Sequence, residues 1–234
     1  MRSTLFASVA IVALAACGGS DPSPGTVNSQ NARTSIDQVG QVNAALAASD
    51  GNMAASAVAA MTAAGQGIVS PSAPAGRLEG LAPDHLPRSL VSSAATGTAN
   101  CTAAGCTFDH FGDDTPGNGW TIDGSISKSG DTITFDLTYD VTSGGATVDW
   151  SIDGSVTVTA TSIDGSVHSK GTSSSGPAGG VSWDVSVDYQ NVQLDGSGCP
   201  IGGSIHASTA YDFAAGSYDV AGDVTFGPAC GQTR

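Results

Sequence analysis

Val148-Asp-Trp-Ser-Ile-Asp-Gly-Ser-Val-Thr-Val-Thr159 is the stretch that decides the fold. Val148, Trp150, Ile152, Gly154, Val156 and Val158 alternate without a break with polar residues from Asp149 to Thr159. That is the pattern of a strand with one dry face and one wet face. Ile133, Phe135, Leu137, Tyr139 and Val141 keep the same period before it, and Trp183, Val185, Val187 and Tyr189 keep it after. Turn signals at Ser129-Gly130-Asp131, Ser143-Gly144-Gly145 and Ala215-Gly216-Ser217 separate the runs at hairpin lengths. Short connections imply antiparallel neighbours, so residues 97–234 read as an antiparallel β domain, a meander of about 8–10 strands.

A phrase recurs inside this domain: Trp120-Thr-Ile-Asp-Gly-Ser-Ile126, Trp150-Ser-Ile-Asp-Gly-Ser-Val156, Ile163-Asp-Gly-Ser-Val167 and Ile201-Gly-Gly-Ser-Ile205. The first two copies each begin a hairpin of similar length, which points to duplication of a two-strand unit. Asp-Gly normally signals a tight turn, but Asp153-Gly154 sits within the unbroken alternation and is placed inside a strand. For Asp164-Gly165 both readings stand. Gly124, Gly154 and Gly203 on the apolar face would let long strands bend, with Trp120 and Trp150 covering such glycines from neighbouring strands. The expected fold class is therefore mainly β and strongly curved, a closed barrel or a half-barrel, with an N-terminal alanine-rich helical segment capping the open side.

Composition narrows the partners. The chain has 21 acidic residues, of which only Glu79 is glutamate, against seven Lys plus Arg, for a net charge of −14. Nucleic-acid binding rests on clustered basic residues and is excluded as an expectation. At 12% charged and 40% hydrophobic, with 32 glycines, the chain is too apolar for wholesale disorder and too rich in breakers for a helical bundle.

Residues 1–16 have the order of a secretory signal: Arg2, an uncharged stretch from Leu5 to Leu14, then small residues. Leu14-Ala15-Ala16-Cys17 resembles the lipobox of bacterial lipoproteins. The resemblance covers the leader only; it implies that Cys17 carries lipid and becomes the first residue of the mature chain. Gly18 follows the cysteine instead of the aspartate that resembles an inner-membrane retention signal, which favours the outer membrane. The expected location is the bacterial cell envelope, lipid-anchored, periplasmic or surface-facing, with the membrane a partner through the N-terminal lipid.

Residues 17–33 read as a flexible tether leading from Cys17. Residues 34–66 read as alanine-rich helices, capped by Ser35 and interrupted at Asp50-Gly51, with Met53 and Met61 as packing residues. Residues 67–96 carry Pro71, Pro74, Pro83 and Pro87 and read as a Pro/Gly linker or wrap, with His85 an exposed loop residue.

Four cysteines besides Cys17 remain: Cys101, Cys106, Cys199 and Cys230. An even number in an exported chain reads as two disulfides, and of three pairings Cys101 with Cys106 and Cys199 with Cys230 is the most economical. A four-cysteine zinc site lacks its short C-x2-C knuckles. Asp109, Asp113 and Asp114, beside His110, offer hard oxygens to a calcium ion, but the spacing misses the EF-hand pattern and a solvated acidic loop is the favoured reading; no metal and no cofactor is assigned. His168 and His206 follow Val167 and Ile205 in matching places on the wet face; if their strands are neighbours they would form a two-histidine metal or pH-sensitive pair, but two separate exposed strand histidines are the favoured reading. No G-x-S-x-G elbow, P-loop or dinucleotide fingerprint occurs, and no enzymatic activity is expected. The expectation is a lipid-anchored, non-enzymatic binding or structural module. It would hold an apolar small molecule or an envelope protein partner. The alternatives are a surface interaction protein that uses the polar sheet face, and an integral outer-membrane barrel.

Overall fold

Strands form wherever the two-residue period runs. In the computed structural model, which describes residues 23–71, 96–113, 115–143, 145–174, 180–213 and 216–234, nine of them follow one another as β3 (Thr96–Thr102), β4 (Gly105–Asp113), β5 (Asn118–Ser129), β6 (Thr132–Ser143), β7 (Ala146–Val158), β8 (Ser162–Ser173), β9 (Val181–Leu194), β10 (Pro200–Phe213) and β11 (Gly216–Thr225). Each pairs antiparallel with the next, so the meander is as expected. The leader, Cys17, His85 and Asp114 lie outside the described residues.

Two more strands extend the sheet. β1 (Ser23–Val27) joins β11 in parallel, with Ser23 opposite Val220, and β2 (Val69–Pro71) pairs antiparallel with β1. The expected tether and the expected linker thus each lend residues to the sheet. The final order is β2-β1-β11-β10-β9-β8-β7-β6-β5-β4-β3. It is an open sheet with β2 and β3 at its edges, and neither closure into a barrel nor strong curl is observed.

The in-strand glycines serve close contact between neighbouring backbones. Asp153-Gly154 and Asp164-Gly165 both lie inside strands, and their two phrases pair with each other about Ser155 opposite Ser166. Gly154 has φ 148° and Gly165 φ 130°. A Cβ on Gly154 would stand 2.4 Å from the Ser166 carbonyl oxygen, and one on Gly165 2.2 Å from that of Ser155. Only a hydrogen fits there. Aromatic rings stand opposite several in-strand glycines: Phe135 and Tyr189 face Gly154 and Gly165, Phe108 faces Gly124, and Trp150, as expected, faces a glycine of the next strand, Gly171, with Trp183 on its other side, whereas Trp120 faces Asp113 and Val141.

Helix α1 (Ser29–Ala47) starts earlier than Ser35 would place it, because the Asn28 side chain accepts from the N–H groups of Gln30 and Asn31. Ala32, Ile36, Val39, Val42 and Leu46 are buried along one stripe. After the break, Asp50 caps α2 (Gly51–Gln66) by accepting from Met53 N–H at 3.0 Å. Met61 is buried, whereas Met53 is 53% exposed, so the two do not act together.

Helix α2 crosses the dry face of the sheet. Gly51 lies against Cys101 and Phe108, the Ala55 carbonyl accepts from Tyr139 Oη at 3.0 Å on β6, and Gly65 lies against Val187 on β9. A side chain at Gly65 would start 2.6 Å from Val187 Cγ2, so the glycine lets the helix settle on the strand. Further polar contacts hold the layers together: Ser35 Oγ with Tyr189 Oη, both buried, and Lys128 Nζ donating to Asn43 Oδ1 at 2.6 Å. Burial of Ile, Val, Leu and Phe on this face stabilises by about 1.5–3 kcal/mol per side chain, which makes the dry face the main source of stability. No helix among the described residues is long and apolar enough to cross a membrane; this does not bear on strands.

Both disulfides take the economical pairing, Cys101 with Cys106 and Cys199 with Cys230, at sequence separations of 5 and 31. Loop-closure entropy makes the longer bridge the stronger one, about 4 kcal/mol against about 2. Replacing Cys199 and Cys230 by alanine should therefore lower the urea midpoint by clearly more than replacing Cys101 and Cys106. Gly154→Ala should cost at least about 2 kcal/mol in the same assay, with the m-value unchanged.

Candidate functional site

The helices occupy the dry face and leave little space beneath them. The cleft between Met61 and Thr62 of α2 and Val167, Val185, Val187 and Tyr189 of the sheet has no room for a water molecule. The chemistry that remains open to solvent is on the wet face.

Strand parity builds that face. Every strand from β5 to β11 contributes at least one aspartate to it, among them Asp123, Asp136, Asp149, Asp164, Asp188 and Asp219. Lys170 is the only lysine or arginine that the described residues of these strands place there. Serine and threonine fill most of the remaining positions, so the surface is hydroxyl-rich and strongly acidic.

Like charges meet directly on it. Asp136 stands opposite Asp153 and Asp140 opposite Asp149 across β6 and β7. Such pairs destabilise a sheet. Burial, the hydrogen bond and charge of Asp149, and the charge of Asp123 together push the Asp140 carboxyl above the usual carboxylate range, against the opposing effect of His110.

Two aspartates of the repeated phrase have a backbone role. Asp123 Oδ1 accepts the His110 N–H at 2.8 Å, and Asp164 Oδ2 accepts the Asn191 N–H at 2.9 Å. His110 (φ 46°) and Asn191 (φ 48°) are the left-handed residues of bulges in the partner strands. The phrase therefore carries its own clamp for an irregular neighbour.

The condition for a histidine pair is not met, and the two rings stand apart on the wet face. His168 on β8 and His206 on β10 are separated by β9, where Ser186 faces the first and Asp188 the second. They do not form a pair. His206 Nδ1 instead meets Asp223 at 2.9 Å, while His168 meets two carboxylates, Asp153 at 3.2 Å through Nδ1 and Asp184 at 2.7 Å through Nε2. Burial disfavours the charged His168 ring, but the hydrogen bonds and charges of Asp184 and Asp153 outweigh it and hold the ring above its ordinary pKa.

Of the metal candidates, Asp114 lies outside the described residues, and Asp109 and Asp113 make separate local contacts. Asp113 accepts from the Thr115 backbone and hydroxyl, which shapes a turn. Asp109 instead joins His110 and Asp123, with His110 Nδ1 at 3.6 Å and 3.0 Å from their carboxylates. This group is exposed, and Asp123 is already engaged by the His110 backbone. Asp195, which lies beside Cys199 and Cys230, accepts from Ser197 and Cys199 in the β9–β10 turn, and both sulfurs belong to a disulfide.

Asp153 and Asp184 are the residues that sequence reasoning missed. The signal lay in the phrase itself: two copies paired about their serines put the residue before one glycine opposite the residue after the other copy's last valine, here Asp153 opposite His168. Comparison with protein-family models, with curated proteins and with solved structures finds no match.

The sign of the Asp140 effect can be tested. Its carboxyl sits above the unfolded value, so the protonated form favours the fold; that contribution is present at low pH and lost as pH rises through the folded pKa. Asp149→Asn should raise the thermal midpoint at pH 7 and leave it nearly unchanged at pH 3, as read by differential scanning fluorimetry.

Proposed function

We propose that this chain is a lipid-anchored envelope protein, held through Cys17 and favouring the outer membrane, that acts without catalysis as an interaction module. The wet face of its sheet is the working surface, and its partner is a cationic protein or peptide of the envelope. The observation that carries this reading is the division of the sheet: a dry face filled by helices and a wet face with aspartates on every strand from β5 to β11 against Lys170. Charge complementarity of this kind steers association and fixes its sign.

The closed packing under α2 supports an interaction surface over an apolar ligand held between sheet and helices. An integral barrel would turn its apolar face to lipid. Here α1 and α2 lie on that face, which supports the anchored module instead.

Two experiments test the two halves of the proposal. Cys17→Ser should move the protein from the membrane to the soluble fraction and abolish labelling by radioactive palmitate; unchanged membrane retention would overturn the anchor. The full-length protein should bind poly-lysine with an affinity that falls steeply with salt. A variant carrying Asp136→Asn, Asp149→Asn and Asp188→Asn, with an unchanged circular dichroism spectrum, should bind at least severalfold more weakly. Equal binding by that variant would remove the wet face as the surface.

A further inference from the structure

His168 differs from the other described histidines in having a carboxylate on each ring nitrogen. A neutral imidazole carries one N–H, so it can donate to one carboxylate only; the other would face a nitrogen lone pair. Satisfying Asp153 on β7 and Asp184 on β9 together requires the imidazolium. His206 and His110 each approach carboxylates through Nδ1 alone, an arrangement the neutral ring can also satisfy.

We propose that His168 is a proton-operated clasp across β7, β8 and β9: closed as the imidazolium bridging Asp153 and Asp184, open when the ring loses its proton and must release one of them. The charged and titratable groups facing it are Asp153 from β7, with Asp136 behind it on β6, Asp184 and Asp188 from β9, and Lys170 two residues along β8. Asp153, at 3.2 Å against 2.7 Å for Asp184, is the carboxylate released first, and Lys170 stands in register opposite Asp184.

The clasp sits in the middle of the acidic face. Closed, it commits two aspartates to an internal cation; open, it presents them to solvent as acceptors for an incoming lysine or arginine. Protonation of His168 and docking of a cationic partner therefore compete for the same carboxylates, and by reciprocity partner binding must favour loss of the proton. This consequence rests on the interaction-surface reading above, whereas the clasp itself does not.

The experiment uses the full-length protein in detergent micelles. Long-range nitrogen–proton NMR should show both His168 ring nitrogens protonated at pH 7, with a titration midpoint above that of a free imidazole. Asp153→Asn combined with Asp184→Asn should lower that midpoint by about one unit or more. A single protonated nitrogen at pH 7, or a midpoint that the double variant leaves in place, would overturn the clasp. A second readout guards against a folding defect in the double variant. The stabilisation is complete below the ordinary imidazole pKa and is lost as pH rises through the raised one. The wild-type thermal midpoint should thus fall by a few degrees between pH 6 and pH 8.5, and His168→Gln should flatten that fall. A fall of equal size in His168→Gln would count against the clasp. Poly-lysine should bind the wild type severalfold more weakly at pH 6 than at pH 8, with the difference narrowed in His168→Gln. If poly-lysine binds at neither pH while NMR finds the doubly protonated ring, the surface reading falls and the clasp stands.

Discussion

Everything in this molecule depends on covering one face of an antiparallel sheet. The two-residue period puts the large apolar side chains of β4 to β11 on the same side, and an apolar surface of that extent must be buried. Two short helices do it by lying close. Alanines along α2 and the bare Cα of Gly65 bring the helix axis near the strands, which lets a side-chain-poor helix seal a wide surface. Tyr139 and Tyr189 reach up from the sheet, each with its hydroxyl satisfied by a helix, so the contact has direction as well as area.

Covering one face leaves the other free of packing duty. Apart from Asp123 and Asp164, which clamp bulges in their partner strands, the wet face needs only to be solvated, and serine and threonine would meet that need. It carries instead aspartates set directly against aspartates, an arrangement that costs stability at neutral pH. Histidine offsets part of that cost at His168, where a ring with two carboxylates draws three strands together. The counter-charge on this face thus comes largely from histidine, because Lys170 is the one lysine or arginine on it among the described residues.

The strands and the position of Asp153-Gly154 were legible because alternation is a local property written in consecutive residues. The economical disulfide pairing was legible for a similar reason, since each bridge joins elements close in the chain or at its end. β1 was not legible. Ser23-Pro-Gly-Thr-Val27 has the composition of a tether, and its strand geometry comes from the edge of β11, nearly two hundred positions away in the chain. The start of α1 was misplaced because Asn28, not Ser35, accepts the free N–H groups; Ser35 is spent on Tyr189. The partners of the histidines depended on strand order and register together, which no single stretch of sequence contains.

One feature of the register reaches into how the chain folds. Because side chains alternate with period two, a strand that slips by two residues against its neighbour keeps its dry face dry and its wet face wet, so hydrophobic patterning cannot reject the mistake. Repeated phrases make such near-matches abundant. At Gly154 and Gly165 the facing carbonyl comes too near for any side chain, so a two-residue slip would drive Ile152, Val156, Ile163 or Val167 against backbone. The glycines act as teeth of a key: they make the correct threading the one that closes, and they proofread the meander where its sequence is most self-similar.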